Sequence, residues 1–319
     1  MVNLFNAPAI FKPFHYPWAY DFWSLQQKMH WLPEEVPLHD DLLDWEHKLT
    51  NHEKHLCTQI FRFFTQADVE VQDCYLGKYA NIFKPVEIKM MLAAFTNMET
   101  VHVDAYSKLV ETLGADQDFY ADFLKFKEMR DKTDFLHSFS GSTKKDLAIT
   151  LAVYGGFIEG MQLFASFAIL FNFQRFGKMK GMGQIVTWSV RDEDLHTRAL
   201  AKLFRTMIEE NPELWTDELK DEIYKCCTKA VYFEDEFIKL AFEGGAIEGL
   251  TPEDVSQYIR YIADKRLVAL GLKPMYMINK NPLPWMEYML QGNEFANFFE
   301  NRSTEYGKSA TEGQWDDAF

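Results

Sequence analysis

A chain of 319 residues that is 47% hydrophobic and 16% aromatic, with only 16 Gly and 11 Pro, can build a large core and is not a disordered or fibrous polymer. A net charge of −15 with no basic run argues against a nucleic-acid surface and favours partners with positive or neutral contact regions. The four cysteines, Cys57, Cys74, Cys226 and Cys227, form no Cys-x-x-Cys pair, and Met1 to Pro17 carries no cleavable leader pattern, so a reduced, cytoplasmic setting is expected.

Residues 1–40 read as an aromatic arm. Pro13, Pro17, Pro33 and Pro37 leave room for a short helix around Asp21 to Met29. Trp31, in the word His30-Trp31-Leu32-Pro33-Glu34-Glu35, reads on its own as a core anchor. Residues 41–290 read as a helical domain. Thr50 and Glu53 form a capping box that starts a helix with the apolar stripe Cys57, Ile60, Phe64, Asp68, Val71, Tyr75. Pro85 restarts the chain. The next stripe runs Ile88, Leu92, Phe95, Glu99, His102, Tyr106, Leu109 and ends at Gly114. Residues 115–140 predict a charged helix with a solvated face, then a polar turn from Ser138 to Thr143.

A helix then opens near Ser142 or Thr143 and carries Glu159 within a very apolar stretch, residues 147–173. That stretch is long enough to cross a membrane, but Glu159, Gln162 and Asn172 inside it favour a buried helix, with no membrane contact. Gly155-Gly156 costs a regular helix about 1 kcal/mol per Gly relative to Ala. It predicts a local distortion or a close backbone approach, or simple close packing. Gly177, Gly181 and Gly183 predict a turn. The third stripe, Val186, Ser189, Glu193, His196, Leu200, Leu203, Met207, then runs to about Glu210. Two more helices are expected, near Thr216 to Gly244 and Thr251 to Leu270. The second starts on an N-cap Thr251 with Pro252 in its first turn. Residues 271–290 look irregular. Residues 291–319 read as a flexible tail with isolated aromatics at Tyr306, Trp315 and Phe319.

Two words stand out chemically, Glu99-Thr-Val-His102 and Glu193-Asp-Leu-His196. On a helix, each puts a carboxylate and an imidazole on one face, one turn apart. Either word alone is weak. Each, however, is preceded by a helix with a lone carboxylate in its own apolar stripe, Asp68 and Glu159 respectively. Helical bundles that hold two metals use this arrangement: one carboxylate from each of two helices and Glu-x-x-His from each of the others. Buried charge is costly without partners, and metal ions between the helices would provide them. The mixed oxygen and nitrogen donor set suits two iron or two manganese ions better than structural zinc. Asp192 and Asp194 are candidates to orient the imidazoles. Tyr106 lies one turn beyond His102 on the same face, where a phenol could be oxidised by such a pair.

With these residues in place, the chain resembles the small, radical-generating subunit of class I ribonucleotide reductase over nearly its whole length. The resemblance rests on Trp31-x-Pro-Glu-Glu, Asp68, Glu99-x-x-His102-x-x-x-Tyr106, Glu159-Gly with Phe164 and Phe167 after it, and Arg191-Asp192-Glu193-x-x-His196. It implies an all-α, ferritin-like bundle. It further implies one metal on Asp68, Glu99 and His102 and another on Glu159, Glu193 and His196, with Glu99 and a second carboxylate bridging. Tyr106 would hold a tyrosyl radical, in a pocket drawing on Leu163, Phe167 and the polar Ser189. Trp31 would connect through Asp192 to His102 on the route to the large catalytic subunit. Tyr306 would be the relay tyrosine of the tail, and the last residues would dock on that subunit. A homodimer is implied, as is a flavoprotein activator if oxidant has to be delivered. The competing expectations are a ferritin-like di-metal oxidase of a small or lipid substrate, and a metal-storage or structural protein.

Overall fold

The structure, a computed structural model, describes residues 2–289. Most of them belong to a unit ending at Pro282. The unit that follows, from Leu283, is described only to residue 289 and contains a short helical segment, residues 284–289. Among the described residues, β structure is limited to two isolated bridges, Asn3 with Asn6 and Ile247 with Leu250. Everything else that is regular is helical, as the spacing of apolar residues predicts.

Four long helical segments form the centre: Asn51–Asp73, Val86–Thr112, a composite one spanning Lys144–Arg175, and Lys180–Glu210. The first packs on the second, the third on the fourth, and the second touches the fourth. The arm helix Pro17–Lys28 lies against both Glu-x-x-His helices. Their starts follow local chemistry. At Thr50 the hydroxyl accepts from the Glu53 amide (3.2 Å) while the Glu53 carboxylate accepts from the Thr50 amide (2.8 Å). Thr143 with Asp146, and Thr251 with Asp254, repeat the device. The Asp217–Ala241 and Pro252–Ala269 helices pack on the Glu159 segment from the outside.

The Lys144–Arg175 stretch is long and apolar enough to cross a membrane, yet the whole of its most apolar window is buried inside the fold. Its centre is no regular α-helix. Residues Ala152–Gln162, including Gly155, Gly156 and Glu159, form a π-helix. That is the distortion the glycine pair predicts. A close approach accompanies it, since a Cβ on Gly155 would sit 2.6 Å from Leu200 Cβ. A second π-helix, Cys74–Tyr79, extends the Asp68 helix.

Two expectations need correction. The stretch read as one charged helix is broken by a 3-10 turn, Phe123–Lys125, into Asp118–Asp122 and Lys127–His137. Arg62 sits over the rings of Phe119 and Phe126 on either side of that break and pairs with Asp122 (3.0 Å). Gly181 and Gly183 lie inside the Lys180–Glu210 helix rather than in a turn. The helix His39–His47, which crosses the expected end of the arm, explains why. Its buried Asp41 accepts from the amides of Gly181 (2.8 Å) and Met182 (2.7 Å), and Asp44 accepts from Met179 (2.9 Å). Carboxylates far away in sequence therefore cap this N-terminus. Gly181 is small because Asp41 Oδ2 would lie 2.5 Å from any Cβ there.

Candidate metal centre

The four central helices bring Asp68, Glu99, His102, Glu159, Glu193 and His196 to one place, each 2% exposed or less. Their donor atoms form two groups, Asp68 with Glu99 and His102, and Glu99 with Glu159, Glu193 and His196, each closing within 4.8 Å. Glu99 belongs to both. Glu99 Oε1 lies 3.0 Å from His196 Nδ1 and Oε2 lies 3.6 Å from His102 Nδ1. Glu193 mirrors it, at 3.1 Å from His102 Nδ1 through Oε1 and 3.7 Å from His196 Nδ1 through Oε2. Each of these two carboxylates thus faces both imidazoles.

Both imidazoles are aimed by their outer nitrogens. His102 Nε2 donates to Asp192 Oδ2 (3.2 Å), and Trp31 Nε1 donates to the same oxygen (2.8 Å). His196 Nε2 donates to Gln26 Oε1 (3.1 Å), and the Gln26 amide donates to Asp192 Oδ1 (3.0 Å). With Nε2 occupied, each Nδ1 is left pointing inward as a donor atom for a cation. The Trp31 ring lies nearly parallel to His102, centroids 5.9 Å apart. Gln26 carries no signal in the sequence beyond being a polar residue in the arm. Asp194, by contrast, is half-exposed and pairs with Arg198 (2.9 Å), so it orients neither imidazole.

The charge balance asks for cations. Burial pushes the Asp68 and Glu159 carboxyls well above the carboxylate range, and neighbouring carboxylates push them further. Burial also opposes charge on Glu99, but the two imidazoles outweigh it and bring Glu99 down to about 2. Burial opposes charge on the imidazoles too, yet the surrounding carboxylates raise both, His196 to about 10. Asp192 is lowered because His102 outweighs its burial. Both oxygens of Glu99, both of Glu193 and Nδ1 of His196 are buried without a hydrogen bond. Orphaned donor atoms converging on one point are costly unless something positive sits there. The residues present therefore fit a pair of divalent ions.

Two phenols border the cluster. Tyr106 is 1% exposed, and its hydroxyl makes a long contact with Ser189 Oγ (3.4 Å). Phe64 packs against its ring (4.8 Å between centroids) and Phe167 packs against Phe64 (5.3 Å). Leu163, also expected in the pocket, is buried in the same helix as Phe167. Tyr75, read from sequence only as a stripe residue, donates to Glu159, 2.9 Å from Oε2 and 3.0 Å from Oε1. Burial pushes both phenols well up, so each keeps its proton. Tyr306 and the tail lie outside the described residues.

The family model described as "Ribonucleotide reductase, small chain" matches residues 9–282. A protein named "Probable ribonucleoside-diphosphate reductase small subunit 376L" of Invertebrate iridescent virus 6 is 40% identical, over 98% of each chain. The ribonucleoside-diphosphate reductase subunit beta of Chlamydia pneumoniae is 32% identical, over 92% of this chain and 88% of its own length. Among solved structures, the ribonucleotide reductase R2 subunit from Clostridium botulinum superposes with a TM-score of 0.81 at 24% identity, covering 86% of this chain and 88% of that one. The dimanganese(II)-NrdF of Streptococcus sanguinis does so with a TM-score of 0.79 at 20% identity, covering 89% and 99%. These two likenesses establish the all-α, ferritin-like bundle.

Proposed function

The chain belongs to the ribonucleotide reductase small-chain family, and from that premise we propose how its own residues perform the task of a small subunit of ribonucleoside-diphosphate reductase. Such a subunit is an oxidoreductase component that works with a large-subunit partner. The alternative, an oxidase of a small or lipid substrate, is not favoured, since the relatives matched along nearly the whole chain are reductase subunits.

Two iron or two manganese ions would be held by Asp68, Glu99 and His102 on one side and by Glu159, Glu193 and His196 on the other. The observation that carries this is the sharing of Glu99 between two buried donor groups. Glu99 and Glu193, each facing both imidazoles, are the carboxylates suited to span the pair. When bound and oxidised by oxygen or a delivered oxidant, such a pair would supply one-electron oxidising power beside a phenol. Tyr106 is the phenol we assign. It would give up one electron and its proton to the oxidised pair and remain as a tyrosyl radical, kept from water by Phe64 and Phe167. Trp31, Asp192 and His102 form a hydrogen-bonded line that passes an electron and a proton between this centre and the large subunit.

Within the same reading, residues 1–40 are an arm, 41–290 the metal-bearing domain and 291–319 the tail that docks on the large subunit, with Tyr306 as its relay. The protein would act as a homodimer in the cytoplasm, where a flavoprotein could deliver oxidant to a manganese form. The free state of Cys57, Cys74, Cys226 and Cys227 supports a reducing compartment.

The test is electron paramagnetic resonance after loading with Fe(II) or Mn(II) and oxidant. Wild-type protein should give a tyrosyl radical signal, and Tyr106→Phe should abolish it. A signal that survives this substitution unchanged overturns the assignment.

A further inference from the structure

We propose that Tyr75 is a positioning residue for Glu159, which holds that carboxylate in the orientation needed to bind a metal ion together with Glu193 and His196. This rests on the di-metal reading above and goes beyond it, because Tyr75 is not in the expected ligand set or on the electron route.

The geometry separates Glu159 from the other carboxylates. Glu99 and Glu193 have no hydrogen bond to either oxygen among the described residues. They are held through their proximity to the two imidazoles, each within 3.7 Å of both Nδ1 atoms. Glu159 has no such pair of neighbours, and its one close imidazole contact is His196 Nδ1 at 3.8 Å. The Tyr75 hydroxyl lies almost equally far from the two Glu159 oxygens, 3.0 and 2.9 Å, so a single donor grips the carboxylate at its centre. A glutamate side chain rotates easily about its last bond. A shared proton at that place restrains the rotation and still leaves each oxygen a further lone pair to offer.

Tyr75 is itself well fixed. It is 1% exposed, and its ring packs edge-on against His196 (6.2 Å), Phe95 (6.2 Å) and Tyr79 (5.8 Å). Both partners sit in π-helical turns, Tyr75 in Cys74–Tyr79 and Glu159 in Ala152–Gln162. Such turns are rare and concentrate at functional sites. The plain alternative is that a buried phenol merely needs an acceptor and takes the nearest one.

A titration of metal-free, full-length protein with Mn(II) alone distinguishes the two. Unbound ion is counted by its resonance signal, so no enzyme turnover is needed. Wild type should take up two ions per chain. Tyr75→Phe removes only the hydroxyl, and circular dichroism should show an unchanged helical content. It should weaken the uptake of one ion by about ten-fold to a hundred-fold, the range seen when a partner orienting a metal ligand is lost. The other ion, on Asp68, Glu99 and His102, should bind as before. In a Glu159→Ala background, adding Tyr75→Phe should change nothing further, because the carboxylate it would orient is gone. Equal titrations of wild type and Tyr75→Phe overturn the proposal while leaving the di-metal reading intact. So does a Tyr75→Phe loss that persists undiminished in the Glu159→Ala background. Wild type that takes up no Mn(II) overturns the reading and the proposal with it.

Discussion

Glu53 shows how single side chains set the conditions under which this fold holds. It closes the capping box with Thr50 and also accepts from Lys178 Nζ at 2.6 Å. Burial alone would raise its carboxyl, but Lys178 and Thr50 outweigh it and hold Glu53 below the ordinary carboxylate value. A group lowered in the folded state stabilises fully above its unfolded value and stops doing so as pH falls through its folded one. Glu53→Gln keeps the box and loses the ion pair. It should therefore cost roughly 1 kcal/mol near neutral pH, a gap that closes as the pH drops below about 4.3. Urea unfolding at several pH values measures this, and a gap independent of pH would refute it. At the same scale, Asp68, Glu99, His102, Glu159, Glu193 and His196 were legible because carboxylates and imidazoles in apolar stripes contradict their surroundings. Gln26, Phe64 and Tyr75 do not contradict theirs. A glutamine in an arm and aromatics in a stripe fit a bland core, and only their distances to Asp192, Tyr106 and Glu159 bring them to the centre.

Helix boundaries were readable wherever the cap is local. Thr50, Thr143 and Thr251 each announce a start and each delivers one. The start at Lys180 was not readable, because Asp41 and Asp44 cap it from another helix and no nearby residue records that. The Gly155-Gly156 pair was readable as a disturbance but not as a π-helix, since the hydrogen-bond register is set by what packs alongside. Leu200, one turn past His196, is that neighbour. Gly155→Ala should gain local helix propensity and still destabilise the protein by roughly 1–3 kcal/mol, because its Cβ would meet Leu200 at 2.6 Å. Chemical denaturation checks the sign; a more stable variant would mean the approach is loose.

On the scale of the molecule, the proposed function divides the labour between the bundle and residues 291–319. Removing residues 291–319 should leave Mn(II) uptake and the Tyr106 signal unchanged while abolishing nucleotide reduction with the large subunit. Reduction at the full rate would place the docking contact elsewhere. Gln26 links His196 to Asp192, which in turn holds His102 and Trp31, so one glutamine near the amino terminus tethers both halves of the centre. Slackening that tether disturbs both imidazoles together. The two groups of donor atoms, which already have Glu99 in common, are thereby made to share one fate.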